Sequence, residues 1–343
     1  MMHLSFRGKR ETVASVMRLS GLLAVSDALR FGELPIMILA YHGIRDIVAS
    51  NYPFDAGMVS ASSEQFDLQM NFIKKNFDVI SFEDLMKCRN GKISLPKRPM
   101  IVTFDDGFSD NYQNAFPILK KYNLPATIFL VSGFVGTREI FWWEKVSYYL
   151  KHEKDFFVAW GDWGCMLPKK EAQTQTWVLN YFKDLTEDER SHLLAKMAER
   201  FLIEESSDFS LIRPLQWNEV LEMSLNGIEF GSHTVTHPLL SQVSKEKLRF
   251  ELRESKKEIE QKIKKEVIVL AYPDGRTINY NDEVVLAVKE AGYAFGITYN
   301  TPRADNSRSC NDWYRMKRIT VDSDHSINRF RCNLTFSSFR NKA

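Results

Sequence analysis

Pro99-Met-Ile-Val-Thr-Phe-Asp-Asp-Gly107 is an apolar, β-type run that passes without a break into two carboxylates and a glycine. A short continuous apolar run of this kind suits a strand buried on both faces, as in a parallel sheet. The pattern recurs on either side of it. Pro35 to Tyr41 is a near-continuous apolar run ending in His42-Gly43, and Phe77 to Ser81, Ala126 to Val131, Ile228 to Gly231, Val267 to Tyr272, Ala294 to Thr298 and Met316 to Val321 read as further strands. Between them lie segments of helical periodicity: Ser63 to Asn76 with Ser62 or Ser63 as cap, Phe82 to Cys88, Asn111 to Tyr122 stopped by Asn123-Leu124-Pro125, Trp217 to Ser224, Lys245 to Lys264 and Asp282 to Ala291. Strands alternating with helices predict parallel βα units and an α/β fold.

The rhythm breaks after Gly136. From Arg138 to about Arg213 the chain carries Trp142, Trp143, Trp160, Trp163 and Trp177 among charged helical segments, with no buried parallel strand. This predicts a mainly helical insertion at about 137–214. Its tryptophans either anchor the insertion or offer aromatic faces to sugar rings. Residues 1–34 form a separate N-terminal segment. Thr12 to Phe31 reads as an amphipathic helix, which would pack on the domain or lie on a membrane surface.

Composition excludes little. A net charge of +2 over 343 residues gives no electrostatic basis for binding nucleic acid. An aromatic content of 13% fits a large core or a sugar-binding cleft equally well. Cys88, Cys165, Cys310 and Cys332 have no metal-binding or redox spacing and read as reduced thiols, which favours the cytosol. The longest apolar stretch near the N-terminus, Gly21 to Val25, is interrupted by Ser20, Ser26 and Asp27. The expectation is therefore neither a signal peptide nor a transmembrane helix. Location is expected to be cytoplasmic, with peripheral association at the inner membrane as the variant that the amphipathic segment suggests.

In α/β sheets, active sites gather at the carboxyl ends of the strands. His42, Asp105, Asp106, His233 and Pro273 each follow a strand-like run directly. Adjacent carboxylates point in different directions, so near a cation one can bind it while the other takes a proton. Alone, Asp-Asp-Gly also suits a plain turn. His233 and His237 are one helical turn apart, which lets both imidazoles face one cation. Two histidines and one aspartate form an N/O set with open positions for water and substrate, suited to Zn, Fe, Co, Ni or Mn. The chemistry implied is metal-assisted hydrolysis of an amide or ester. A general acid for the leaving group is expected among the histidines: His42 first, because it follows a strand directly, and His325 second, because its loop, Asp322-Ser-Asp-His325, suggests exposure to solvent.

On these residues the chain resembles the polysaccharide deacetylase family, also called carbohydrate esterase family 4 or the NodB-homology domain. Thr103-Phe-Asp-Asp-Gly107 matches the family's first motif, His233-Thr-Val-Thr-His237 its second, and Ala271-Tyr-Pro-Asp-Gly275 is similar to its third, Arg-x-Pro-Tyr-Gly. The resemblance covers roughly residues 36 to 136 and 215 to 321, and implies a distorted (β/α) barrel spanning 35–343 around the insertion. It implies a divalent metal, zinc first, on Asp106, His233 and His237. Asp105 would be the base and the backbone N–H of Asp274 an oxyanion donor. The motif arginine is replaced by Ala271, and Arg318 is the candidate to orient the base in its place. Tyr41-His42-Gly43 is similar to an early Tyr-His found in the branch acting on poly-N-acetylglucosamine-like polymers. Tyr41, Trp142, Trp143 and Tyr272 are the candidate substrate contacts. The resulting expectation is a metal-dependent N-deacetylase for an N-acetylated sugar of a cell-surface glycan or its precursor. Its rivals are a hydrolase of a non-sugar C–N bond on the same site, and an inactive glycan-binding module.

Overall fold

A computed structural model describes residues 33–48, 51–152, 159–160, 163–164, 171–201, 207–299, 306–307 and 312–339. The expected amphipathic helix at Thr12 to Phe31, and Cys165 and Cys310, lie outside the described residues. In chain order the elements begin with β1 (Met37–Tyr41), β2 (Gly43–Ile44), β3 (Val59–Ala61), α1 (Ser63–Asn76), β4 (Asp78–Val79), α2 (Phe82–Arg89) and β5 (Pro99–Phe104). A π-helical turn, Asn111–Ala115, then runs into α3 (Phe116–Tyr122), followed by β6 (Ala126–Leu130). The insertion contributes α4 (Trp142–His152), β7 (Ala159–Trp160), β8 (Trp163–Gly164), α5 (Glu171–Asp184) and α6 (Glu187–Phe201). The chain closes with α7 (Trp217–Leu225), β9 (Ile228–Ser232), α8 (Lys245–Ile263), β10 (Val269–Ala271), α9 (Asp282–Glu290), β11 (Phe295–Ile297), β12 (Ile319–Thr320) and α10 (Ile327–Phe339).

The described residues fall into two compact units. The larger takes in those up to Asp46, Val59–Thr137 and those from Pro214 onward. Its parallel sheet runs β11-β10-β9-β6-β5-β1-β12. Strand β5 is shared unusually: one edge pairs with β1, while the other hands over from β4 at Pro99 and Met100 to β6 at Thr103 and Phe104. This handover is where the curled sheet departs from a regular barrel. At the other end, Met316 bridges to Ile297 of β11 and Ile319 pairs with Leu39 of β1. The segment from Met316 to Thr320 thus touches both margins of the sheet.

Alternation along the strands sorts side chains onto two faces. Met37, Leu39, Met100, Val102, Phe104, Ile128 and Leu130 face the helices and pack with Phe66 and Met70 of α1, Leu119 of α3, Leu252 and Ile259 of α8 and Val288 of α9. Ile36, Ile38, Ile101, Phe129, Val269, Ala271, Phe295 and Ile297 form the inner face, into which α2 sends Phe82 and Leu85. Helix α2 is seated by Glu229, an inward residue of β9. Its carboxylate accepts from Phe82 N at 2.9 Å, Glu83 N at 3.0 Å and Thr127 Oγ1 at 2.7 Å. The two backbone N–H groups are donors that the start of a helix leaves unpaired.

The smaller unit joins Ile47–Met58 to Arg138–Arg213, so a stretch far upstream of the insertion belongs with it. Helices α4, α5 and α6 dominate, with β7 and β8 as an antiparallel pair. Glu144, fully buried, accepts from Asp55 N at 2.8 Å and ties the upstream stretch to α4.

Burial raises the Glu229 carboxyl to about 7, against the pull of its three donors. A carboxyl raised in the native state binds its proton more tightly than in the unfolded chain. Its stabilisation is full below the ordinary glutamate range and is lost as pH rises through about 7. In urea titrations between pH 5 and pH 8, the wild type should therefore lose stability relative to Glu229→Gln, which cannot ionise. Parallel stability curves for the two proteins would refute this.

Candidate active site

The inward alternation of four strands continues past their carboxyl ends. It carries His42 from β1, Asp105 from β5, His233 from β9 and Tyr299 from β11 to the same end of the sheet interior, where Arg318 arrives from the closing segment. The expected convergence of His42, Asp105 and His233 is thus present in the fold.

Asp105 and Arg318 form its centre. Nη1 and Nη2 of Arg318 donate to Oδ1 and Oδ2 of Asp105, each at 2.7 Å, a bidentate charge-assisted pair. Arg318 is wholly buried; its Nε donates to Thr298 O at 2.9 Å. Thr103 Oγ1, which donates to Leu39 O at 2.6 Å, lies 3.3 Å from Nη1. Burial works against ionisation of Asp105, yet Arg318 holds its carboxyl well below the usual carboxylate range. Arg318, the residue expected to stand in for the motif arginine, is thus paired with Asp105.

Asp106 takes a left-handed backbone, φ 71°, and so does Gly107, also 71°. The pair of positive φ values swings the second carboxylate away from the first. Asp106 Oδ1 faces His233 Nε2 at 3.6 Å and His237 Nε2 at 3.7 Å. The ligand atoms of these three residues all lie within 4.8 Å of one another. Two atoms bonded at roughly 2.1 Å to one tetrahedral cation stand about 3.4 Å apart, so the spacing suits an ion between them. His233 Nδ1 lies 2.8 Å from the Ala271 carbonyl; as the donor there, it leaves Nε2 as the ligating atom. Burial lowers the pKa of both imidazoles, favouring the neutral form that binds metals. The donor set fits a divalent cation.

One local expectation was wrong. His233 and His237 do not share a helical turn. They sit on an irregular loop with left-handed residues at Thr234 (φ 71°) and His237 (φ 59°). Glu251 of α8, fully buried, holds that loop: it accepts from Val235 N at 2.7 Å, Thr236 N at 2.9 Å and Thr236 Oγ1 at 2.6 Å. Nothing in the charged pattern of α8 singles out Glu251.

His42 is pinned through its backbone. Its N–H donates to Ser60 Oγ at 2.9 Å and its carbonyl accepts from Asn111 Nδ2 at 2.9 Å. Asn111 and Asn114 both lie on the π-helical turn, and Asn114 donates to Ile44 O at 2.7 Å, so that turn holds the chain on either side of Gly43. His42 Nε2 is 3.9 Å from Asp105 Oδ2. Burial lowers the imidazole to about 4, against the attraction of Asp105. His325 is not solvent-exposed as its polar loop suggested. It is 4% exposed, with Nε2 3.4 Å from Asp322 Oδ2 and 3.7 Å from Asp324 Oδ1, because the loop folds its carboxylates around the ring.

The proposed substrate contacts fare differently. Tyr41 is fully buried, stacked on Phe104, with its hydroxyl donating to Gln69 Oε1 at 2.9 Å. Its outward parity on β1 sends it into the helix-covered core, so it has no surface for a sugar. Tyr272 is also buried; it stacks on Tyr280 and donates to Tyr314 O at 2.8 Å. Trp143 stacks on Phe141, and Trp142 packs between Phe182 and Arg190, all within the smaller unit. The side chain of Asp274 is occupied by Asn279 Nδ2 at 2.6 Å and Arg276 Nε at 2.8 Å, which fixes the left-handed turn at Asp274 and Gly275. Sequence reading missed Tyr299, although the inward alternation of β11 points to it.

The sequence model of the polysaccharide deacetylase family matches residues 92–296. This chain belongs to that family. A poly-β-1,6-N-acetyl-D-glucosamine N-deacetylase of Staphylococcus aureus is 24% identical over 313 residues, covering 88% of this chain and 85% of its own. The fold is shared with the Streptococcus pyogenes deacetylase PplD, solved with acetate, at a TM-score of 0.57 and 22% identity over 89% of this chain and 99% of that one. IcaB from Ammonifex degensii superposes at a TM-score of 0.56 with 16% identity, over 89% of this chain and 97% of its own.

Removing one partner of a buried pair leaves an uncompensated charge. Arg318→Met should lower the unfolding free energy by about 3–5 kcal/mol, measured by urea denaturation. Adding Asp105→Asn should regain most of it. An Arg318→Met protein as stable as the wild type would show that the pair does not hold this part of the structure.

Proposed function

We propose that this chain is a metal-dependent N-deacetylase that releases acetate from an N-acetylated amino sugar of a cell-surface polysaccharide or its precursor. The observation that carries the reading is the division of labour between the adjacent carboxylates: Asp105 is locked by Arg318 and Asp106 is turned toward two imidazoles. The S. aureus relative, named for N-deacetylation of poly-β-1,6-N-acetyl-D-glucosamine, supports an N-acetylglucosamine-type substrate. Possession of every expected ligand and of the base speaks against an inactive glycan-binding module.

Asp106, His233 and His237 would hold the cation, with zinc first and cobalt, nickel, manganese or iron as alternatives. When bound, it supplies Lewis-acid polarisation of the acetyl carbonyl and acidification of the attacking water. Asp105 takes the proton of that water. Held ionised by Arg318, it is a weak base, suited to a water already made acidic, and its two bonds to the guanidinium fix its direction. The backbone N–H of Asp274 would face the oxyanion. His42 is neutral at rest and adjoins Asp105, so it can relay the abstracted proton to the departing amine. An amine leaves poorly unless protonated, so this transfer matters more for amides than for activated esters.

His233→Ala and Asp106→Ala should each lose both bound metal and acetate release. Asp105→Asn should retain the metal, with kcat down roughly 10²–10⁴-fold, as for loss of a general base. Metal analysis and kinetics on the same samples decide this; stoichiometric metal in His233→Ala would exclude the ligand assignment.

The acid assignment has its own test. His42→Ala should bind metal normally, fail on N-acetyl sugars and keep more of its activity on an ester with a good leaving group. His325→Ala should leave both activities close to wild type. The opposite pattern would move the acid to His325.

A further inference from the structure

Tyr299 was not among the expected site residues, and no motif contains it. It follows β11 on the inward face, and three parts of the site meet it. Its ring lies edge-on to His42, with centroids 5.6 Å apart and planes at 69°. The guanidinium carbon of Arg318 is 5.8 Å from its centroid. Its N–H donates to Gly275 O at 3.1 Å, and a Cβ on Gly275 would stand 2.2 Å from that nitrogen. The tyrosine is therefore pressed against the turn that carries Asp274. Its side chain is only half-buried, unlike those of Tyr41 and Tyr272.

Its hydroxyl takes no hydrogen-bond partner among the described residues, whereas the hydroxyls of Tyr41, Tyr272, Tyr293 and Tyr314 are all hydrogen-bonded. Burial, reinforced by the charges of Asp322, Asp105 and Asp106, keeps the phenol protonated. It therefore remains a donor beside the carboxylates and does not compete with Asp105 for a proton.

We propose that Tyr299 is a substrate-binding residue: its hydroxyl hydrogen-bonds the sugar that bears the acetamido group, while its ring holds the imidazole of His42 in place. This rests on the deacetylase reading above. It assigns the wall of the site between His42 and the Asp274 turn to sugar recognition. The two roles separate by substitution: Tyr299→Phe removes the hydroxyl and keeps the ring, and Tyr299→Leu removes both.

The test compares wild type and the two variants, metal-loaded, on an N-acetylglucosamine oligomer and on 4-nitrophenyl acetate, which has no sugar. Tyr299→Phe should raise KM for the oligomer about 3–10-fold, the range of one hydrogen bond, with kcat and the ester reaction unchanged. Tyr299→Leu should in addition lose kcat on the oligomer. An unchanged oligomer KM in Tyr299→Phe, with the wild type active, overturns the proposal alone. So does an equal loss on oligomer and ester, which would mark a structural role. A wild type that cleaves the ester but releases no acetate from N-acetyl sugars overturns the deacetylase reading, and this proposal with it.

Discussion

The buried pair between Asp105 and Arg318 is the constraint on which the rest of the site depends. Taking two charges out of water costs several kcal/mol each, and the mutual attraction offsets this only when geometry and remaining hydrogen bonds are good. Here both carboxylate oxygens are met at 2.7 Å and Nε is satisfied by Thr298. The partners come from opposite ends of the fold in sequence. Asp105 directly follows β5, and Arg318 lies on the segment that contacts both margins of the curled sheet. Proper seating of that segment and proper aim of the Asp105 carboxylate are thus one event. Asn306 secures it: Ile36 N donates to its carbonyl at 2.9 Å, its side-chain amide donates to Lys317 O at 2.8 Å, and its Oδ1 accepts from Lys317 N at 2.8 Å.

With Asp105 committed to Arg318, the neighbouring carboxylate is left for other work. Left-handed backbone at Asp106 and Gly107 makes the separation, and a Cβ on Gly107 would stand 2.8 Å from Leu130 Cδ2. The imidazoles of His233 and His237 are kept neutral by burial, and His233 is aimed by a main-chain carbonyl. Ala271, which occupies the place of the motif arginine, contributes through its backbone alone. The guanidinium that pairs with Asp105 comes instead from Arg318, on the last strand segment.

Much of this was legible in the residues because the βα signal is local. The runs at Pro99, Ala126 and Ile228 became strands within a residue or two, and Ser62 caps α1 with the Gln65 capping box. Site residues next to strand ends were legible for the same reason: two-residue alternation, continued past the strand, predicts which side chains face inward. What failed depends on contacts distant in sequence. The loop from Thr234 to His237 is shaped by Glu251, the start of the Asn111 helix opens into a π turn that holds the chain around His42, and Ile47–Met58 joins the insertion across some eighty residues. Aromatic residues misled, because Tyr41 and Tyr272 near motifs suggested sugar contacts, whereas strand parity and burial place them in the core.

On the proposed function, the paired carboxylates and two histidines make an N-deacetylase. Acetate release from β-1,6-linked N-acetylglucosamine oligomers, with metal content measured on the same sample, tests it most directly. One acetate should appear for each free amine formed, with activity lost on removing the metal and recovered on restoring it. Stoichiometric metal on Asp106, His233 and His237 with no acetate from any N-acetylated sugar would contradict it.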